Sequence, residues 1–162
     1  MKKINKVLII VFLVLGHISQ AQDREQKFAA YTITDPFAYN DGFNIGVGIE
    51  YQMNYMYFGA QAFTFPDLNG ITYSHFIGTI GFNIHSYNGT LRGYAGLNGG
   101  TIIRNGNHAL VGGEAGIDFK IPRTNLYIGT GATYHLRGDS KIWGNETAYW
   151  RFNGFIKIGV KW

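Results

Sequence analysis

Few side chains in this sequence of 162 residues could do chemistry, and their spacing limits what kind. A nucleophile beside a base is offered by Ser74-His75 and, more loosely, by His135 with Asp139 and Ser140, while His108 stands apart. Such pairs would suit acyl transfer or hydrolysis. On an extended strand, however, Ser74 and His75 point to opposite faces. No motif ties His135 to Asp139, and Gly138-Asp139-Ser140 is also the composition of an ordinary turn. His75, His85, His108 and His135 lack metal-ligand spacing and the chain has no cysteine, so neither metal nor cofactor is expected. Gly96 to Gly100 is glycine-rich, but no strand-to-helix transition follows it, so it is not a phosphate loop.

The more productive candidates are Glu50, Arg92, Glu114, Asp118, Lys157 and Lys161, with Arg151, His75 and His135. All fall on the polar face of alternating segments. Acids and bases that share one confined face suit ion pairing, either as a structural plug or as a gate across a narrow polar path.

The elements that carry them are strands. Period-two segments recur between short turn-like breaks: Arg24 to Thr34, Phe43 to Gln52, Tyr55 to Phe65, Ile71 to Ile84, Thr90 to Ile103, His108 to Lys120, Asn125 to Arg137 and Tyr149 to Trp162. The first alternates least cleanly, at Phe28-Ala29-Ala30-Tyr31. Asn88-Gly89 and Asn105-Gly106 mark reversals, and only Met53-Asn54 separates the second and third segments. The array reads as all-β, an eight-stranded antiparallel up-and-down transmembrane barrel. With an even strand count both ends lie on one side. The longer connections, Asp35 to Gly42 and Gly138 to Glu146, then face the other side.

Composition agrees. Met1 to Lys6 holds three lysines, Val7 to Leu15 is almost wholly aliphatic, and Ser19-Gln20-Ala21 offers a small-x-small cleavage site. Residues 1–21 read as a cleaved signal peptide and 22–162 as one domain. Removing Lys2, Lys3 and Lys6 leaves eleven basic against ten acidic side chains, so nucleic acid is not implied. Charged residues make up 15% of the chain, well below the roughly 25% of soluble domains.

Alternation alone would also suit a soluble lipocalin-like barrel with its apolar face inward. The polar face argues against that, because it carries Gly46, Gly48, Gly59, Gly81, Gly96, Gly112, Gly116, Gly129, Gly131 and Gly159 among Tyr57, Tyr73, Tyr94, Tyr127, Tyr149 and Phe155. Glycine weakens an exposed strand, but inside a narrow barrel it makes room for large neighbours. On the other face aliphatics hold mid-strand while Phe43, Tyr51, Phe119, Tyr134, Trp150 and Trp162 lie near ends, like an aromatic girdle.

Counting from the turns places Glu50, Arg92, Asp118 and Lys161 toward the periplasmic end. Glu114 and Lys157 then fall near the middle, where they should pair, and His75, His135 and Arg151 toward the outer end. An eight-stranded interior is barely wider than its side chains, which favours the plug over an open pore.

The eight strands, the glycine-rich inner face and the ending Ile156-Lys157-Ile158-Gly159-Val160-Lys161-Trp162 resemble the small OmpA/OmpX-type outer-membrane barrels. The resemblance spans the whole mature chain and is architectural. It implies residence in the outer membrane of a Gram-negative bacterium, contact with outer-membrane lipids and lipopolysaccharide, and recognition of Ile156, Ile158, Val160 and Trp162 by the barrel assembly machinery. It also implies a monomer with a structural or surface-interaction role. The alternatives are a lipid A acyltransferase- or deacylase-like enzyme and a narrow small-solute channel. Phe37, Tyr39 and Trp143 in the long loops would serve as interface anchors or as partner contacts.

Overall fold

A computed structural model describes residues 27–39, 42–68, 71–104, 106–139 and 148–162. The expected signal peptide, the start of the first expected strand and most of the last long connection, with Ser140 and Trp143, lie outside the described residues. The strands are β1 (Lys27–Thr34), β2 (Ile45–Gln52), β3 (Met56–Leu68), β4 (Ile71–His85), β5 (Leu91–Ile103), β6 (Asn107–Lys120), β7 (Leu126–Arg137) and β8 (Tyr149–Lys161). Each pairs antiparallel with its sequence neighbours, and β1 pairs with β8 to close the barrel. Closure leaves no unpaired sheet edge.

Alternation sets which side chains enter the barrel. The segment that alternated poorly, Phe28 to Tyr31, still forms regular ladders with β2 and β8, because alanine fits either face and the partners supply the register. Strands β3 and β4 run further than their sequence suggests: the ladder shifts after Phe65, where Pro66 has no amide hydrogen to donate, then resumes at Leu68–Ile71.

One end of the barrel is built from tight turns. Met53 N donates to Met56 O at 2.8 Å, Ser86 N to Leu91 O at 2.8 Å and Ile121 N to Leu126 O at 2.9 Å. At this end Phe28 and Trp162 exchange two backbone hydrogen bonds of 3.0 Å. Gly89 adopts φ 70°, as the Asn-Gly reversal requires, whereas in the β6–β7 turn Arg123 takes φ 63° without being glycine. The opposite end carries the longer connections. In the first of them a 3-10 turn, Pro36–Ala38, is capped by Asp35, whose carboxylate accepts from Phe37 N at 2.9 Å. Outward-facing Gly154 lies beneath this turn, and the Phe37 ring occupies the position a side chain at 154 would take.

The two faces of the wall are sorted opposite to a water-soluble fold. Outward side chains are apolar and open: Ile49 is 64% exposed, Phe82 67% and Leu97 73%. Inward side chains include Arg92 at 2% and Asp118 at 1%. The apolar face therefore points out, and the lipocalin-like alternative, which needs it inside, does not hold. Aromatic pairs ring both ends of the outer surface, with Phe28 and Tyr51 at 4.8 Å between ring centres and Tyr134 stacked on Trp150 at 4.7 Å.

Candidate functional site

The lumen has two unlike halves. Toward the turn end, inward positions of β2, β5, β6 and β8 converge on an ion-pair network. Arg92 is its hub: Nη1 lies 2.6 Å from Glu50 Oε1 and 2.8 Å from Asp118 Oδ2, and Nε donates to Asn83 Oδ1 at 3.0 Å. Lys157 Nζ sits 3.0 Å from Asp118 and 3.8 Å from Glu50, while Lys161 Nζ is 3.5 Å from Asp118. Gln52 Nε2 donates to Glu50 at 2.6 Å.

Tyrosine faces make up the rest of the cations' surroundings. Arg92 stands over the rings of Tyr57 and Tyr94, at 4.9 and 4.6 Å. Lys157 stands 4.2 Å from the Tyr94 ring and Lys161 4.5 Å from that of Tyr127. Ring faces carry negative charge density, so they solvate cations that outnumber the two carboxylates in reach. Space comes from Gly129: a Cβ there would run into the Asp118 carboxylate and approach Lys157 Cε to 2.7 Å.

Above this layer Glu114 accepts from Tyr57 Oη at 2.8 Å and from Asn98 Nδ2 at 3.3 Å, and Asn98 Oδ1 lies 2.9 Å from His135 Nε2. The pair expected between Glu114 and Lys157 is not made, since Lys157 reaches the lower carboxylates instead. Tilted, staggered strands bring residues of equal count from their turns to different heights.

The loop-end half is aromatic and aliphatic. Phe63 stacks on Phe65 at 4.9 Å, Phe65 on Tyr73 at 4.4 Å, and His75 stands edge-on to Phe63 at 5.2 Å. Ile33, Ile77, Ile102 and Leu110 complete this plug. Arg137 and Asp139 form a buried bidentate pair, with bonds of 3.0 and 2.8 Å, and Arg137 covers the Tyr73 ring at 5.1 Å. Sequence reasoning missed Arg137, although it continues the inward period of Thr133 and His135; its place beside a loop hid it. Arg151, expected inward at this end, is half-buried and donates to Asn153 at 3.0 Å.

Of the candidate enzymatic groups, Ser140 lies outside the described residues, and Ser74, His135 and Asp139 have partners elsewhere. Ser74 stays on the outer wall with Thr64 at 3.1 Å while His75 lies inside, so the Ser74-His75 pair splits across the sheet. His135 faces Asn98, and Asp139 receives Arg137. Ile156, Ile158, Val160 and Trp162 are all exposed on the outward face of β8 and its end. Among the described residues no group of three or more His, Cys, Asp or Glu could hold a metal ion.

No family model matches the chain, and no curated protein does. Among solved structures it is similar to Neisserial surface protein A at 13% identity, over 84% of this chain and 93% of that one, with a TM-score of 0.47.

Proposed function

We propose that this chain is an integral outer-membrane barrel of a Gram-negative bacterium, with a side-chain-filled lumen and a structural or surface-interaction role. The observation that carries the reading is the outward face: a continuous belt of exposed Val, Ile, Leu and Phe, rimmed by Phe28, Tyr51, Tyr134, Trp150 and Trp162, around a charged interior. In water such a belt would be a large exposed apolar patch that drives aggregation. In a bilayer it is the solvated surface, and the closed hydrogen-bond ladder leaves no open strand edge to satisfy.

Lipids and lipopolysaccharide are then the molecules in contact with the belt, and the barrel works as a monomer because closure removes the edge through which strands add. The alternating outward residues Ile156, Ile158, Val160 and Trp162 form the segment offered to the assembly machinery. The aromatic plug at one end and the ion-pair layer at the other argue against a wide pore. Phe37 acts as an interface anchor, seated against the wall at Gly154.

Membrane fractionation with gel mobility compared before and after boiling tests the reading. The chain should leave with the outer membrane and migrate differently when unboiled. Recovery in the periplasm or medium would overturn it.

A further inference from the structure

The turn-end mouth of the barrel opens into a cavity of about 440 Å³. Its wall is charged asymmetrically: Lys27, Arg92, Lys120 and Lys161 line it against one acidic side chain, Asp118, with Glu50 paired to Arg92 behind it. Arg92 is 2% exposed, and its Nη2 has no hydrogen-bond partner, although Nε and Nη1 are both satisfied. That nitrogen is closed off from solvent against the tyrosine rings, so Arg92 bears on the cavity through its charge and not as a donor to it. Lys161, with one carboxylate at 3.5 Å, keeps donors to spare. Among the described residues neither Lys27 nor Lys120 has an acidic partner within 4.0 Å.

From these observations we infer that the mouth is a binding site for a small soluble polyanion carrying phosphate or carboxylate groups. The ligand's oxygens would take the Nζ of Lys161 at the floor, with Lys120 and Lys27 neutralising its outer charge and the Arg92 guanidinium beneath adding positive potential. Charge-assisted bonds of this kind are the strong ones, and the partly desolvated position of Lys161, whose side chain is 10% exposed, strengthens them. The volume falls within the usual range of small-molecule sites, so it admits more than a single inorganic ion.

Residues of every strand pair contribute to the rim, so entry is along the barrel axis and a bilayer lipid arriving from the side is kept out. The site does not require the membrane reading; only the compartment it faces, the periplasm, rests on it.

Isothermal titration of the folded barrel in neutral micelles tests the site, with pyrophosphate and citrate as probes and chloride as reference. One saturable event is expected for at least one probe, tighter than chloride. It should weaken about tenfold in Lys120→Gln/Lys161→Gln, remain in Lys120→Arg/Lys161→Arg, and be unchanged in Arg151→Gln at the opposite end. Doping the micelles with phosphatidylglycerol should leave it in place. Binding no tighter than chloride, equal binding in the double glutamine variant, or displacement by the anionic lipid would overturn the inference. Unboiled gel mobility certifies that each variant is folded. A failed fractionation would revise the compartment and leave this titration untouched.

Discussion

Replacing Asp118 with alanine removes the one carboxylate that three cations share. Arg92 is 2.8 Å away, Lys157 3.0 Å and Lys161 3.5 Å, and Asp118 is 1% exposed. Afterwards only Glu50 faces them, 2.6 Å from Arg92 and 3.8 Å from Lys157. Taking one partner from a buried charged network costs about 3 to 5 kcal/mol, because the other charges stay buried without compensation. Two features pull the figure toward the lower bound. The tyrosine faces remain and contribute roughly 0.5 to 2 kcal/mol per close cation, and the adjoining cavity lets water reach the vacated position. A loss of about 3 kcal/mol follows for Asp118→Ala. For Lys161→Gln it is under about 1 kcal/mol, since that ammonium is the most exposed member and the most distant. Equilibrium urea unfolding in lipid vesicles, followed by tryptophan fluorescence and unboiled gel mobility, measures both. An Asp118→Ala barrel within about 0.5 kcal/mol of the parent would refute the network's part in stability.

Three further outcomes use the same assay or a simple variant of it. Gly129→Ala should cost about 1 to 3 kcal/mol, because its methyl group must displace the Asp118 carboxylate or the Lys157 stem; a neutral result would mean that the lower lumen is loosely packed. Arg123→Gly should gain about 0.5 kcal/mol, the relief of a side chain held at φ 63° less the entropy cost of glycine in the unfolded chain, and a lower urea midpoint would contradict this. Leu97→Lys, mid-strand on the outward face, should cost about 2 to 4 kcal/mol in vesicles; an unchanged stability there would contradict lipid exposure of that face.

Much of the barrel was legible because a strand's side-chain period is two whatever surrounds it. Alternation located all eight strands to within a few residues at their ends and sorted Ile49, Phe82 and Leu97 from Glu50, Asn83 and Asn98. It failed locally where neighbours override the pattern, as at Ala29-Ala30, whose facing comes from β2 and β8, and at Pro66, where the ladder skips and resumes. The six charged candidates were chosen for sharing the inward face. Five of them meet around Arg92 and Asp118, while Glu114 stands apart with Tyr57 and Asn98. Counting residues from turns treats strands as upright, so it misplaced Lys157 by a layer. It also gave no sign that Tyr31, Tyr57, Tyr94 and Tyr127 would solvate the cations with their ring faces.

By itself the sequence determined the strand count, the antiparallel order and, outside Phe28 to Tyr31, which side chains share a face, since these follow from local periodicity and turn chemistry. Only the tertiary structure decided which inward residues touch. Contact across a barrel depends on tilt and stagger, which belong to the closed sheet as a whole. That geometry sets Lys157 beside Asp118, packs Phe37 against Gly154, fills one half of the lumen with Phe63, Phe65 and Tyr73, and opens a basic mouth over the Arg92 network.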